Sequence, residues 1–466
     1  MGQVIPKIVG FFLLPIYTAF LAPEDFGIVD LAMSVGAFAL SVIRLGIPGA
    51  ISVFYFDYKG RKDERVYIST IYIGSTVISL ILGVLFLGLG YILLNDLVPG
   101  LPFYPFFILI MLSSFLNTSS DIQKRLLQVR EQSGYNALLN VVSAMIGIAV
   151  AVVLVVIMNM GALGMVIATV VTSAIFYIQA QHYLRKDLVF VFDNRMFKDS
   201  LTYTLPLLPY QVIGNLAPLF GRSILSMQSS LAAVGLFGIA FKLTQPLLVF
   251  SNALGTAYSP IYFSLRTEGG SEIGQKIARA VSKIWVVSAM LFMGIYLFAT
   301  PAIVLLTDAR YHTADISVRI LTMGFLPTVF YLIVSQEIFY QKKTKIILLI
   351  NLTAAVLNIG MALVLIPILD EVGLAISSVL PLVVSAAWAF HFSNKSYKLS
   401  FEWQKMLMVS LIALAAIAGS HLLPPMPVLY YILAASLIWL IGSVLMIRAE
   451  GSLWQSIKDT LREYLG

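Results

Sequence analysis

The chain has 466 residues, 59% of them apolar and 11% charged, with a mean hydropathy of +0.92, far outside the range of soluble globular domains. A formal net charge of +7 would suit nucleic acid, but the basic residues are spaced along the chain rather than gathered in one patch, which excludes that partner. The absence of cysteine excludes disulfides, thiolate metal sites and thiol catalysis.

Fourteen apolar stretches follow one another, at about residues 4–21, 27–56, 66–94, 102–121, 134–157, 163–181, 203–228, 231–262, 282–306, 316–340, 345–366, 371–393, 405–423 and 427–447. Most reach the ~20 residues that an α-helix needs to cross a hydrocarbon core, so the expected fold is an all-α integral membrane protein of fourteen transmembrane helices. The first stretch is long, is followed at once by another and lacks a small-residue cleavage site, so it reads as a retained span.

Basic residues fall in alternate connections. Lys59, Arg61, Lys62 and Arg65 follow span two, Lys124, Arg125 and Arg130 follow span four, and Arg185, Lys186, Arg195 and Lys198 follow span six. Arg266, Lys276, Arg279 and Lys283 follow span eight, Lys342, Lys343 and Lys345 follow span ten, and Lys395, Lys398 and Lys405 follow span twelve. Only Arg310 and Arg319, near the ninth-to-tenth turn, break the alternation. Because cytoplasmic loops are enriched in Lys and Arg, these connections and both termini belong in the cytoplasm. The outer loops, such as Met158 to Ala162, are too short for a folded domain, so function must lie within the bundle.

The two halves share a plan. Gly27 with Ile28, Val29, Asp30 and Leu31 recurs as Gly235 with Leu236, Phe237, Gly238 and Ile239, at an offset of 208. Leu163-Gly164-Met165 recurs as Val372-Gly373-Leu374 at an offset of 209, and Asn140 as Asn351 at 211. A shift by six spans keeps the same membrane direction, the signature of parallel repeats. The expected organisation is an N-lobe over residues 1–181, a cytoplasmic linker over 182–202, a C-lobe over 203–393, and two added helices with a cytoplasmic tail over 394–466. Two such lobes enclose a central cavity and rock to give alternating access.

Three cations remain once the loop charges are assigned: Arg44 in span two, Arg222 in span seven and Lys242 in span eight. Charge in hydrocarbon is costly, so such residues face a water-filled cavity or a partner. Lys242 lies about eleven residues, or ~16 Å, from the outer end of its helix, where snorkelling cannot easily reach water. Arg44 and Arg222 are closer to an interface. Fewer acids share this depth: Asp30 near the outer end of span two, and Asp121 and Glu337 at the cytoplasmic ends of spans four and ten. These three are candidates for pairing or ion coupling, and Asp30 is placed to pair with either Arg222 or Lys242. Three mid-span cations with little balancing acid favour an anionic cargo, for which Arg offers a bidentate fork to phosphate and Lys a point charge. Prolines 15, 48, 206, 209, 218 and 246 gather in spans one, two, seven and eight, where kinks are expected. Metal and cofactor sites are not expected.

The opening Pro6-Lys7-Ile8-Val9-Gly10-Phe11-Phe12-Leu13-Leu14-Pro15-Ile16-Tyr17-Thr18, then Leu21-Ala22-Pro23-Glu24-Asp25-Phe26-Gly27-Ile28 and Leu45-Gly46-Ile47, resembles the polysaccharide transporter family. These are the Wzx-type flippases of lipid-linked oligosaccharides, within the multidrug/oligosaccharidyl-lipid/polysaccharide exporter superfamily. The resemblance implies a bacterial or archaeal plasma-membrane protein that moves a polyprenyl-pyrophosphate-linked glycan from the cytoplasmic to the outer leaflet without covalent chemistry. Its implied partners are that lipid-linked anionic glycan, membrane lipids and polysaccharide assembly proteins. Arg44, Arg222 and Lys242 would then contact the head group. The lipid II flippase branch and a cation-coupled drug exporter of the same superfamily are the alternatives; a glycan polymerase or ligase would need a larger outer loop. A tag in the Met158 to Ala162 loop should label from outside, and one between Asp57 and Arg65 only from within; the reverse pattern would overturn the topology.

Overall fold

The computed structural model describes residues 10–451 other than Phe12, Lys62, Gly269, Ser271, Leu399 and Pro425, with the side chains of Ser133, Leu207 and Tyr210 also set aside. Residues 4–9 of the first apolar stretch and most of the tail after span fourteen lie outside the described residues. In chain order the helices are α1 (Leu14–Phe20), α2 (Pro23–Ile43), α3 (Pro48–Tyr58), α4 (Glu64–Leu97), α5 (Ile108–Val129), α6 (Ser133–Val152), α7 (Gly161–Leu184), α8 (Asn194–Thr204) and α9 (Leu208–Gln228). They continue as α10 (Leu231–Leu243), α11 (Gln245–Glu268), α12 (Ile273–Leu297), α13 (Ala299–Leu306), α14 (Asp315–Met323), α15 (Phe325–Tyr340), α16 (Thr344–Ser396), α17 (Trp403–His421) and α18 (Val428–Glu450). Every regular element among the described residues is helical, as expected for a chain that must satisfy its backbone within each segment in lipid.

Ten helices among the described residues are long and apolar enough to cross a membrane, or eleven when α10 and α11, bent by 44° at a short break, count as one span. The count differs from fourteen for identifiable reasons. Spans eleven and twelve run together as the 53 residues of α16, but Asp370 within it has φ 48° and ψ −128°, which no α-helix accommodates. A straight helix of that length would be about 80 Å long, well beyond a ~30 Å hydrocarbon core. The chain instead reverses: Asn358 donates to the Ser377 carbonyl at 2.8 Å, and a Cβ on Gly373 would meet the Leu365 carbonyl oxygen. The seventh stretch, α9, is 21 residues long but carries Gln211, Asn215 and Arg222, and does not rank among the ten. The described part of the first stretch forms only the short α1.

Two compact units divide the chain: residues 1–238 with 362–374, and residues 239–361 with 375–466. In the first, small polar residues bring helices together, since lipid gives no hydrophobic drive for helix association. Ser113 and Ser173 share a 2.7 Å hydrogen bond between α5 and α7, where Asn117 also donates to Ser173 at 2.9 Å. Ser79 of α4 donates to Thr118 of α5 at 3.3 Å, and Tyr72 of α4 donates to Gln181 of α7 at 2.8 Å. The linker is bolted to α4 rather than free, because the backbone N–H groups of Val189 and Asp193 donate to Ser69 Oγ and Thr70 Oγ1 at 2.7 and 3.0 Å. Asp193 also caps α8 by accepting from Arg195 and Met196. The second unit centres on α12, where Val286, Ala289, Phe292, Met293 and Leu297 pack with α17 and α18 residues such as Val409, Ala413 and Met446.

The second span of each repeat is broken. Between α2 and α3, Leu45 and Gly46 take positive φ of 47° and 67°, and Pro48 opens the new helix. Short bonds from Ile47 to Arg44 and from Gly49 to Gly46 keep the backbone satisfied through the break. Between α10 and α11 the break falls at Thr244, with Pro246 in the first turn that follows.

Near their N-terminal ends α2 and α10 meet backbone to backbone. A Cβ on Gly27 would lie 2.0 Å from the Leu231 carbonyl oxygen, and one on Gly235 would lie 2.0 Å from the Pro23 carbonyl oxygen. Both pairs obey the offset of 208 (23 to 231, 27 to 235), so the contact is reciprocal between the two copies of the repeat. A methyl group cannot enter this crossing unless the helices part. Gly27→Ala and Gly235→Ala are each expected to cost about 1–3 kcal/mol, read as a lower melting temperature in detergent. Gly83→Ala, with open space around it, should not lower that temperature.

Candidate functional site

Of the six charged residues singled out from the sequence, five join three ion pairs, one of them completed by Arg266, and the sixth is a lysine at a helix break. One pair joins Asp30 of α2 to Arg222 of α9, with Arg222 Nε donating to Asp30 Oδ2 at 2.5 Å. Room for the carboxylate comes from the repeat itself. The residue equivalent to Asp30 is Gly238 (30 + 208), and a Cβ there would lie 3.0 Å from Asp30 Cγ. Arg222 also donates from Nη1 to the Pro218 carbonyl at 3.2 Å and lies 5.2 Å from the centre of the Phe237 ring. Both side chains are largely shielded, at 7% and 14% exposure, so this guanidinium is committed to structure in the conformation described.

Arg44 occupies the broken centre of span two. It is the C-cap of α2, where the last carbonyls of a helix favour a cation. Its Nη1 donates to Asp121 Oδ2 of α5 at 2.6 Å, and Lys124, one turn further along α5, places Nζ 3.8 Å from Asp121 Oδ1. Unlike Arg222, all three side chains remain partly open, at 30%, 22% and 31% exposure for Arg44, Asp121 and Lys124.

Glu337 of α15 is fully buried and fully used. Arg266 of α11 donates to both its oxygens, at 2.9 and 3.1 Å, Tyr262 donates at 2.6 Å and Gln341 at 2.6 Å. Arg266 in turn stacks 3.7 Å from the centre of the Tyr397 ring. The two acids expected at similar places in the repeats therefore each hold an arginine, Arg44 from within span two and Arg266 from just after span eight. Lys242 lies in the last turn of α10, just ahead of the break at Thr244, and is half-buried.

Arg44 and Lys242 share a local pattern that the sequence reading passed over. Arg44-Leu45-Gly46-Ile47-Pro48 and Lys242-Leu243-Thr244-Gln245-Pro246 both read cation-Leu-x-x-Pro, and in both the cation lies at the end of one helix and the proline in the first turn of the next. The kink prolines and the mid-span cations were each visible separately; their constant spacing was the available signal. Two other basic residues treated as topology markers also proved to be network centres. Arg130 donates to both Asp187 oxygens at 2.8 and 3.0 Å and to the Tyr55 and Tyr183 hydroxyls. Arg319, an exception to the charge alternation, is held by Asp315 at 3.2 Å and by Thr300 and His421.

Removing one member of the Asp30–Arg222 pair strands a buried charge. Asp30→Leu or Arg222→Leu alone should cost about 3–5 kcal/mol, and the double substitution should recover most of it. Thermal unfolding of the detergent-solubilised variants measures both; equal loss in the double variant would refute a compensated pair.

The family model described as polysaccharide biosynthesis protein matches residues 1–266, and the chain belongs to that family. Among solved structures, the lipid II flippase MurJ in an inward closed conformation matches with a TM-score of 0.78 at 16% identity, covering 96% of this chain and 98% of that one. An inward-facing multidrug resistance MATE family transporter of the MOP superfamily matches with a TM-score of 0.66 at 18% identity, over 85% and 97% of the two chains. An outward-facing MATE family transporter of that superfamily matches at 0.51 and 17%, over 85% and 92%. At these identities the likeness is one of fold: a multi-pass membrane transporter fold, not that of a catalytic enzyme. No curated protein sequence matches the chain.

Proposed function

We propose that this member of the polysaccharide biosynthesis protein family flips a polyprenyl-pyrophosphate-linked oligosaccharide from the cytoplasmic to the outer leaflet of a bacterial or archaeal plasma membrane, by alternating access. The observation that carries the reading is Arg44: a cation at the centre of a broken span, held at one end of its guanidinium by Asp121 and still partly open. A broken helix places charge and backbone dipoles within a span, as transporters do at substrate sites. Lys242 at the corresponding break of the second repeat is assigned the same task. Arg222 takes part only in a conformation that releases Asp30. The sugar and diphosphate pass through the polar interior while the lipid tail stays in the bilayer, and no bond is made or broken.

The reading carries the expected organisation with it: lobes over 1–181 and 203–393, fourteen spans, and cytoplasmic termini. A lipid II-type cargo is the second reading, supported by the likeness in fold to a lipid II flippase over nearly the whole chain. A cation-coupled drug exporter is less well supported, because Asp30, Asp121 and Glu337 are each engaged by an arginine. Arg44→Ala and Lys242→Ala should each abolish glycan export in cells while the protein inserts at normal levels; full export in both variants would remove these residues from the pathway.

A further inference from the structure

Lys124 was read as a loop charge, yet it lies on the same carboxylate as Arg44. Its Nζ is 3.8 Å from Asp121 Oδ1, beyond hydrogen-bond length, and 4.7 Å from the centre of the Phe176 ring of α7. A part-exposed lysine three residues along a helix from an aspartate gains little from that pairing alone. Two cations therefore share one carboxylate, each on its own oxygen, and the cluster carries a net charge of +1. Arg44 holds its oxygen at 2.6 Å, so the two cations are unequally satisfied, and Lys124 is the one with attraction to spare.

We infer that Arg44 and Lys124 form a two-point clamp for a diphosphate, with Asp121 as a resident carboxylate that occupies the anion's seat until the ligand arrives. A carboxylate offers two oxygens on one carbon, and it satisfies only one of these cations at hydrogen-bond distance. A diphosphate offers more oxygens on two linked phosphorus atoms, so one phosphoryl group can take the Arg44 fork while the other reaches Lys124. A monophosphate reaches one cation well and the other poorly. Lys124 is thus the specificity-determining residue, selecting diphosphate over monophosphate, and Asp121 tunes affinity by competition. The displaced carboxylate keeps the cluster from being a bare pair of like charges when empty, and its return helps expel the ligand. The inference rests on the flippase reading, because it identifies the head-group chemistry of that same site.

The test uses the full-length protein in lipid nanodiscs and measures binding of farnesyl diphosphate, farnesyl monophosphate and inorganic pyrophosphate by calorimetry. A charge-assisted contact of this kind corresponds to about a tenfold change in affinity. Lys124→Gln should weaken farnesyl diphosphate by roughly that factor and leave farnesyl monophosphate within about twofold, while Lys124→Arg restores the preference. Asp121→Asn should tighten both prenyl ligands. If Arg44→Gln loses binding and Lys124→Gln keeps the full diphosphate preference, the clamp is wrong and the flippase reading stands. If the unsubstituted protein binds neither prenyl ligand, the flippase reading fails and the clamp with it. Inorganic pyrophosphate binding as tightly as farnesyl diphosphate, with the same dependence on Lys124, upholds the clamp but assigns it to free diphosphate.

Discussion

Inside a bilayer no water completes an unpaired charge, and that single constraint organises the polar interior of this protein. Three acids within its spans are each met by an arginine from another helix: Asp30 by Arg222, Asp121 by Arg44 and Glu337 by Arg266. Such pairs are poor sources of net stability, because two desolvation penalties offset their attraction. They are strong determinants of which helix lies against which, since any other register leaves a charge bare. The reciprocal crossing of Gly27 and Gly235 does the same for backbone: it brings α2 and α10 so close that only hydrogen fits.

The repeat is kept at the close helix crossing and abandoned at the ion pair beside it. Positions 23 and 231, and 27 and 235, remain equivalent and face one another through the same contact. Three residues on, Asp30 has Gly238 as its counterpart, and Arg222 has Leu14, so the ion pair exists in one copy only. The small residue on one side is what admits the carboxylate from the other. The broken second spans show the same division. Both place a cation at the end of one helix and a proline at the start of the next, but the basic residue is Arg44 in one and Lys242 in the other, at an offset of 198 rather than 208.

The all-α class and most of the apolar spans were legible in the sequence, because hydropathy is a local pattern that lipid imposes directly. Pairing was not. Asp30 had Arg222 and Lys242 as equal candidates, and the choice of Arg222 depends on a contact 192 residues distant that no local pattern encodes. Lys124 and Arg130 were counted as cytoplasmic anchors for the same reason: charge bias reveals the side of the membrane a residue occupies, not what it touches. Arg319 looked anomalous because Thr300 and His421 reach it from other helices, while Asp315 is four residues away on its own. The fold-back at Asp370 was read correctly as a gap between two spans, since a hydropathy dip marks a turn even where the hydrogen-bond pattern runs on.

These pairs also constrain how a charged cargo could cross. Baring a buried arginine costs several kcal/mol, whereas exchanging one anionic partner for another costs only the difference between two similar interactions. On the flippase reading proposed above, an anion passing Arg44 and Arg222 exchanges with the resident carboxylates, phosphate arriving as carboxylate leaves. The more open pair, Arg44 with Asp121, is the one suited to exchange with a ligand. The shielded pair, Arg222 with Asp30, is suited to exchange only when the helices carrying it separate. Unequal exposure thus separates two otherwise similar ion pairs: one open to exchange with a ligand, the other closed to it in the conformation described.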